Sequence, residues 1–221
     1  MQTNRPRAKA ARQDESHKAK ILAITGLLAA AAIAWAVFVS PALAEDAPAV
    51  ESGTYTIDES HVHATFVVSH LGYSETIGNF DKVAGSITLD AANPAASAVN
   101  VTIQTASVDS GWEARDEHLR GDDFFKVEEF PEMTFASTSV EPTGDTTAKV
   151  TGDLTLLGQT HPVTLGVTLN KAGKHPFSGK MTAGFSASGT LDRTVWGMEY
   201  GVPMIGKDIK LMLQAESILA E

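Results

Sequence analysis

The densest group of titratable side chains in the sequence is Arg115-Asp116-Glu117-His118, which is followed by the aromatic pair Phe124-Phe125. Arg115, Asp116 and His118 are residue types that move protons in enzymes, so this block could form an acid–base site. The same spacing also suits one turn of a helix held by charged side chains. No nucleophile elbow, zinc-protease helix motif or phosphate loop accompanies the block. We therefore predict that the chain is not an enzyme and that the block positions Phe124 and Phe125 as part of a lid.

Histidines elsewhere offer a second kind of chemistry. His61 and His63 share one face of a predicted strand, where they could bind a metal ion if a third ligand came near. They lie opposite an apolar face, which favours an exposed polar surface, and the sequence contains no cysteine to complete a site. We predict neither a metal site nor a cofactor. His70 is in phase with Val68 and is predicted to face the interior, where it would contact a ligand head group or bond to the backbone.

The first 44 residues are interpreted as an export signal. Six basic and two acidic residues flank an uncharged apolar stretch at 21–39, and Ala42-Leu43-Ala44 after Pro41 supplies a cleavage site. The stretch is also close to the ~20 residues that span a bilayer, so an uncleaved anchor in the inner membrane is the alternative. Both interpretations place the remainder outside the cytoplasm. We predict cleavage after Ala44, a linker at 45–53 and one periplasmic or otherwise extracytoplasmic domain at 54–221.

The predicted exported part is strongly acidic. The chain carries 17 Lys and Arg against 27 Asp and Glu, and residues 1–44 account for six and two of these, which leaves a formal charge of −14. This charge argues against nucleic acid and against an anionic lipid surface as partners. A basic partner, a transient contact with a membrane and a homodimer stay open.

Most of the exported part alternates apolar and polar residues with a period of two, which is typical of β-strands. Turn-forming residues separate about eight such runs, so the pattern predicts an all-β sandwich or barrel with one short helical insertion at 112–125. The spacing of Phe80 and Val83 breaks the alternation, as a bend in a long second strand would. Many inward positions hold small apolar residues, but periodicity alone leaves a ligand cavity and a filled core equally open.

Several short motifs, in order along the chain, resemble the YceI-like family of exported lipid-binding proteins. The most specific of them joins RDEHL at 115–119 to DFF at 123–125. The others are YTIDESH at 55–61, FVVSHLG at 66–72, FPEMTF at 130–135, GDLTL at 152–156 and RTVWGM at 193–198.

The resemblance implies an extended, lipocalin-like antiparallel β-barrel with an elongated apolar pore. It implies binding, transport or storage of a long-chain lipid or polyisoprenoid, such as the tail of an isoprenoid quinone, and it brings no catalytic residue. Two alternatives stay open. One is a membrane-anchored interaction module of an electron-transfer chain, and the other is a lipid-modifying enzyme that uses Arg115, Asp116 and His118.

The residues on the apolar face of each strand are predicted to line the pore and bind its ligand. They are Phe66, Val68, His70, Phe80, Val101, Leu154, Leu165, Phe185 and Leu211.

Overall fold

The computed structural model describes residues 50–221, and this part of the chain contains ten β-strands and one α-helix. The strands are β1 (Gly53–His70), β2 (Ser74–Phe80), β3 (Val83–Leu89), β4 (Ala98–Gln104), β5 (Val108–Asp109), β6 (Glu132–Pro142), β7 (Thr147–Leu156), β8 (Gln159–Lys174), β9 (Met181–Asp192) and β10 (Ile205–Leu219), and the helix is α1 (Glu113–Arg120). Within these residues no helix has the length and hydropathy needed to cross a membrane. The predicted signal segment and most of the predicted linker lie outside the described residues.

Antiparallel pairing closes the sheet into a barrel with eight strand positions. The order runs β10-β9-β8-β7-β6-β4-β3-β1, and β10 pairs back to β1. β2 and β3 share one position, because β2 pairs with the second half of β1 and β3 with its first residues. The break between them at Asp81 and Lys82 is the bend that the sequence predicts between Phe80 and Val83. The predicted all-β barrel of about eight strands is confirmed.

The antiparallel strands give the barrel two ends. The lid end contains the β1–β2 turn at 71–73, the segment 105–131 and the β9–β10 loop at 193–204. The mouth end contains residues 50–52, the segment 90–97, the β6–β7 turn at 143–146 and the β8–β9 turn at 175–180. The chain therefore enters the barrel at the mouth end and places its helical insertion at the other.

The helical insertion is shorter than the sequence pattern predicts. α1 ends at Arg120, and Gly121 follows it in an extended conformation. The backbone N–H of Phe125 then donates to the carbonyl of Leu119 at 2.9 Å, which folds the chain back on the helix. This reversal buries Phe124 and Phe125, which a continuing helix would carry away from the barrel.

Two inward-facing glycines make room for aromatic rings inside the barrel. A Cβ on Gly78 would collide with the ring of Phe66, and a Cβ on Gly152 would collide with the ring of Phe135 and the carbonyl of Ala136. Neither glycine has a positive φ, so the requirement is for space and not for a special backbone conformation.

We expect Gly152→Ala to lower the free energy of unfolding by about 1–3 kcal/mol, because overpacking forces a ring or the backbone to move. Gly166→Ala is the matched control in the neighbouring strand, since the nearest atom to its added Cβ is the Ser188 carbonyl oxygen at 3.9 Å. Urea denaturation of both variants measures the difference. Equal stability of the two would contradict the packing explanation.

Candidate functional site

An apolar cavity of about 750 Å³ runs along the barrel interior. Its wall is formed by alternate residues of the strands, as the two-residue period requires. Between the ends the lining is apolar except at His63, Thr65 and Gln214; His63 and Gln214 pair with each other next to an interruption in the β1–β10 pairing. Eight of the nine residues predicted to line the pore are in this wall: Phe66, Val68, Phe80, Val101, Leu154, Leu165, Phe185 and Leu211. Their role in binding a ligand stays a prediction.

His70 is the exception, and its predicted place in the pore is wrong. Its side chain is exposed and does not line the cavity. Val68 pairs with Ile209 but His70 pairs with Ile205, so the register of β1 against β10 shifts between these two residues. The turn that follows has positive φ at Leu71. The alternation that carries Val68 inward therefore does not extend to His70.

Aromatic and sulfur-containing side chains close the cavity at the lid end. Phe124, Phe125 and Met198 are buried and line its blind end. The ring of Phe125 meets that of Phe80 edge to face, with centroids 5.2 Å apart, and Phe80 in turn packs against Phe66 at 5.7 Å. The insertion thus contributes part of the cavity wall and is continuous with the aromatic packing of β1 and β2.

Arg193 is a buried charge at this blind end, with an exposed fraction of only 2%. Its guanidinium donates four hydrogen bonds to backbone carbonyls, namely those of Met198 (2.7 Å), Tyr200 (2.8 Å), Gly206 (2.9 Å) and Ile205 (3.0 Å). Burial lowers the pKa of the guanidinium, and the nearby Asp192 carboxylate partly opposes that shift. The side chain therefore ties the β9–β10 loop down from inside the barrel.

Arg193 was not among the residues selected from the sequence for the pore. The sequence feature that could identify it is a single arginine that follows an otherwise apolar strand pattern, in the motif RTVWGM at 193–198. Its acceptors are main-chain carbonyls, which have no signature in the sequence.

Asp192 fixes the start of the same loop from the outside. Its carboxylate accepts hydrogen bonds from Lys207 Nζ at 2.6 Å and from the backbone N–H of Thr194 at 3.0 Å. These contacts, with Lys207 making the largest contribution, hold the pKa of Asp192 at about 2. The carboxylate is therefore ionised at every pH above about 3, and the loop start keeps its anchor through that range.

The charged block at the insertion does not form one site. Asp116 is buried and accepts hydrogen bonds from the backbone N–H and the hydroxyl of Ser110. Arg115 donates to the same hydroxyl and to the Ser110 carbonyl, both at 2.6 Å. His118 lies elsewhere and pairs with Asp123 at 2.8 Å, where both side chains are about half exposed (45% and 49%). None of the three predicted residues lines the cavity.

His118 belongs instead to an aromatic latch, which we define as His118, Phe124 and Tyr200. The three rings meet edge to face, with centroids 5.0 Å apart for His118–Phe124 and His118–Tyr200, and 5.3 Å for Phe124–Tyr200. Arg193 lies over the Phe124 ring, with its guanidinium carbon 6.0 Å from the centroid. The latch joins the insertion to the β9–β10 loop and so holds the blind end closed.

The cavity opens at the mouth end. Its lining there includes exposed residues of the 90–97 segment and of the β6–β7 turn, among them Pro94, Gly144 and Asp145. The lining residues at the lid end are buried or half-buried by contrast. Val50, the first described residue, also borders the cavity. The opening is polar, because Asp90, Ser97 and Asp145 lie around it.

Comparison with known proteins gives consistent matches. Residues 55–217 match the protein family described as the YceI-like domain. Protein YceI of Escherichia coli O157:H7 is 42% identical over 166 residues, which covers 74% of this chain and 86% of that protein. The crystal structure of the Campylobacter jejuni YCEI protein is 32% identical with a TM-score of 0.64, covering 69% of this chain and 90% of that one. A polyisoprenoid binding domain from Saccharophagus degradans, implicated in plant cell wall breakdown, shares the fold at 14% identity with a TM-score of 0.56, over 77% and 100%.

We expect His118→Ala to loosen the lid end, because it removes two ring contacts and a hydrogen bond that together are worth about 1–3 kcal/mol. Amide hydrogen exchange in residues 119–130 should become faster. His118→Phe separates the two contributions, since it keeps the aromatic packing but loses the bond to Asp123. If exchange in this segment is unchanged in His118→Ala, the latch does not hold the lid.

Proposed function

The chain belongs to the YceI-like family, and from this premise we propose that it is an extracytoplasmic carrier or reservoir for a polyisoprenoid or another long-chain amphiphile. The observation that carries the proposal is the cavity of about 750 Å³ whose wall is mostly apolar between the blind end and the mouth. Ligand sites in proteins have volumes of roughly 300–1,000 Å³, and a mostly apolar wall with few polar groups is their usual lining.

The shape of the cavity favours a long ligand. The lining residues of β1 run from Ile57 to Val68, which pair with Ser217 and Ile209 of β10. β1 loops out of register after Ile57, so β10 gives the axial length: eight residues at about 3.3 Å and a tilt of roughly 40° correspond to about 20 Å. Spread over that length, the volume of about 750 Å³ corresponds to a mean cross-section on the order of 37 Å². A slot of these proportions suits one extended hydrocarbon chain better than a compact ring system.

In this proposal the affinity comes from burial of the ligand's hydrocarbon chain, and no covalent bond needs to form or break. Each buried methylene contributes about 0.8 kcal/mol relative to water, so burial of a long tail contributes more free energy than specific polar contacts could add. In the cell the competitor is the bilayer, where the tail is already in an apolar medium. The net free energy of transfer from membrane to barrel is then small, which allows uptake and release.

The two ends of the cavity differ in a way that orients the ligand. Arg193 commits four donors to backbone carbonyls, so the blind end offers little to a polar head group. The mouth carries Asp90, Asp145 and Ser97. We therefore place the tail toward the lid end and the head group at the mouth. The two carboxylates disfavour an anionic head group there, and a neutral one such as a quinone ring fits the charge.

The compartment is proposed from residues 1–44. Their basic segment, apolar stretch and Ala-x-Ala site support export followed by cleavage near Ala44, with retention of residues 21–39 in the inner membrane as the alternative. Either arrangement would place the barrel outside the cytoplasm, as an extracytoplasmic carrier requires. The intact mass of the exported protein distinguishes them.

The lipid-modifying alternative receives no support from the geometry. Arg115 and Asp116 are engaged with Ser110, and the His118–Asp123 pair lies outside the cavity wall. These groups therefore do not converge on a ligand held in the barrel. A binding role needs only the cavity, which the structure provides.

Filling the cavity is the first test. We expect protein purified from its natural host to release a long-chain lipid into organic solvent, as measured by mass spectrometry. Leu211→Trp adds volume to the wall without charge, so it should abolish lipid recovery while the barrel stays folded by circular dichroism. If the variant unfolds as overpacking would predict, and the unaltered protein never yields a lipid, the interior is a filled core and the proposal is wrong.

Charge on the wall is the second test. Val101 lines the cavity, whereas its neighbour Thr102 does not and lies on the outer face of β4. Val101→Asp places a carboxylate in an apolar space without a partner, which costs several kcal/mol, so we expect loss of lipid binding or of folding. Thr102→Asp should change stability by no more than about 0.5 kcal/mol and leave lipid recovery intact. If the two variants bind lipid and fold equally well, the inward position of Val101 does not matter for binding and the proposal loses this support.

A further inference from the structure

The β8–β9 hairpin differs in charge from the rest of the chain. Residues 154–191 contain no Asp or Glu, although residues 45–221 as a whole carry a formal charge of −14. The hairpin holds Lys171, Lys174 and Lys180 within ten residues. All three are exposed, and none pairs with a carboxylate among residues 50–221. The acidic protein therefore has a basic projection.

The end of this hairpin presents an aromatic side chain to solvent. Phe177 is 94% exposed, more than any other large apolar residue in the described part of the chain. The turn that carries it is ordered by backbone bonds of 2.8 Å from His175 N–H to the Lys180 carbonyl and from Gly179 N–H to the His175 carbonyl. The phenyl ring is thus held outward by a defined turn.

The hairpin projects beyond the strands on both of its sides. β7 pairs with β8 only as far as Thr168, and β10 pairs with β9 only as far as Thr182. On the β7 side, β8 continues from Thr168 to Lys174, six residues that at about 3.3 Å each measure on the order of 20 Å. On the β10 side, only residues 174–181 lie beyond the last pair, Thr182 with Ile218. The base of the hairpin adjoins the mouth, because the Leu169 N–H donates to the carbonyl of Thr146 in the mouth lining at 2.8 Å.

Acidic side chains at this end belong to neighbouring strands and loops. Thr146 accepts a hydrogen bond from the Leu169 N–H, so its neighbour Asp145 lies at the base of the hairpin, several residues behind Lys174. Glu51 precedes β1, and Glu221 follows the last pair of β10 with β9, Ile218 with Thr182, by three residues. Charges separated by more than about 8–10 Å are largely screened at physiological salt, so the lysines near the tip are not neutralised by Asp145.

We propose that the tip of the β8–β9 hairpin, residues 174–181, docks onto the surface of an anionic phospholipid bilayer. Lys174 and Lys180 contact the lipid phosphates, and Phe177 enters the interface between head groups and acyl chains. The contact brings the mouth of the cavity to the membrane, where a long-chain ligand is exchanged. This inference rests on the proposed carrier function, and it names the surface through which the carrier meets its lipid.

The proposal refines the expectation drawn from net charge. A charge of −14 argues against an anionic surface only if it is spread evenly, because beyond the screening length a membrane responds to the charges nearest to it. The acid-free hairpin is nearest in this orientation. The opposite end offers an apolar rim of Leu71, Tyr73, Tyr200 and Met204, but the cavity is closed there.

The test measures vesicle binding by residues 45–221, because the described residues, 50–221, lie within one compact unit. Vesicles of phosphatidylcholine alone and with phosphatidylglycerol are used in co-sedimentation. We expect tighter binding to the anionic vesicles, with a loss of about fivefold for Lys174→Gln and again for Lys180→Gln, and of about tenfold for Phe177→Ala. Lys149→Gln and Tyr73→Ala are the matched controls, a lysine on the barrel wall and an aromatic residue 91% exposed at the lid end.

A second measurement separates this inference from the carrier function. The lipid content of purified Phe177→Ala should equal that of the unaltered protein, while its uptake of lipid from anionic vesicles should slow in proportion to its weaker binding. If no variant ever contains lipid but vesicle binding still depends on Phe177, the carrier function fails and the docking surface stands. If binding ignores phosphatidylglycerol, or falls with Tyr73→Ala and not with Phe177→Ala, the hairpin is not the docking surface.

Discussion

Closure of the sheet by pairing of β10 with β1 is the constraint on which the rest of the structure depends. It gives the wall strands hydrogen-bonded neighbours on both sides and turns one face of each strand toward a common interior. That interior holds an apolar space of about 750 Å³. At about 24 cal/mol per Å³, the cost measured for apolar cavities in protein cores, a sealed empty space of this size would cost about 18 kcal/mol. Because a typical domain is stable by only ~5–15 kcal/mol, a sealed void of this size is not expected, in agreement with the opening of the cavity at the mouth.

The two ends of the barrel are covered by different structures. At the lid end, the insertion and the β9–β10 loop cover the opening, and Arg193 ties that loop to the interior through main-chain carbonyls. A buried guanidinium without a bonded carboxylate is tolerated because those carbonyls replace the water that it loses. At the mouth end a second apolar cluster around Tyr55, Ala172 and Ala183 packs the ends of β1, β8 and β9, and the cavity opens among polar side chains at the same end. The two ends therefore differ in what covers them.

Charge is also unevenly distributed, because the acidic protein carries a basic hairpin beside the mouth. The net charge favours solubility and opposes unspecific association with nucleic acid or acidic surfaces. The acid-free β8–β9 hairpin is a local exception beside the mouth, and its exposed phenyl ring adds apolar contact where the charge is least negative. A carrier of the proposed kind would need both properties, because it would have to stay in solution between encounters and still approach the lipid source in one orientation.

The strands and their inward faces can be predicted from local sequence, because the alternation of residues such as Phe66 and Val68 or Leu154 and Leu156 depends only on the two-residue period of a strand. The sequence also located the bend after Phe80 and the helical insertion, since broken periodicity and a charged block are local signals. The family resemblance rested on the same local motifs.

What those elements enclose depends on contacts between residues that are far apart in the sequence. Periodicity could not distinguish a cavity from a filled core, because this depends on the curvature of the closed wall and on which rings cross it. The phase rule failed at His70, where a register shift against β10 ends the alternation. Arg193 escaped selection because its partners are carbonyls of residues 198–206 that come together only when the loop folds. The charged block was visible, but its division between a Ser110 anchor and the aromatic latch required the positions of Ser110, Phe124 and Tyr200 in space.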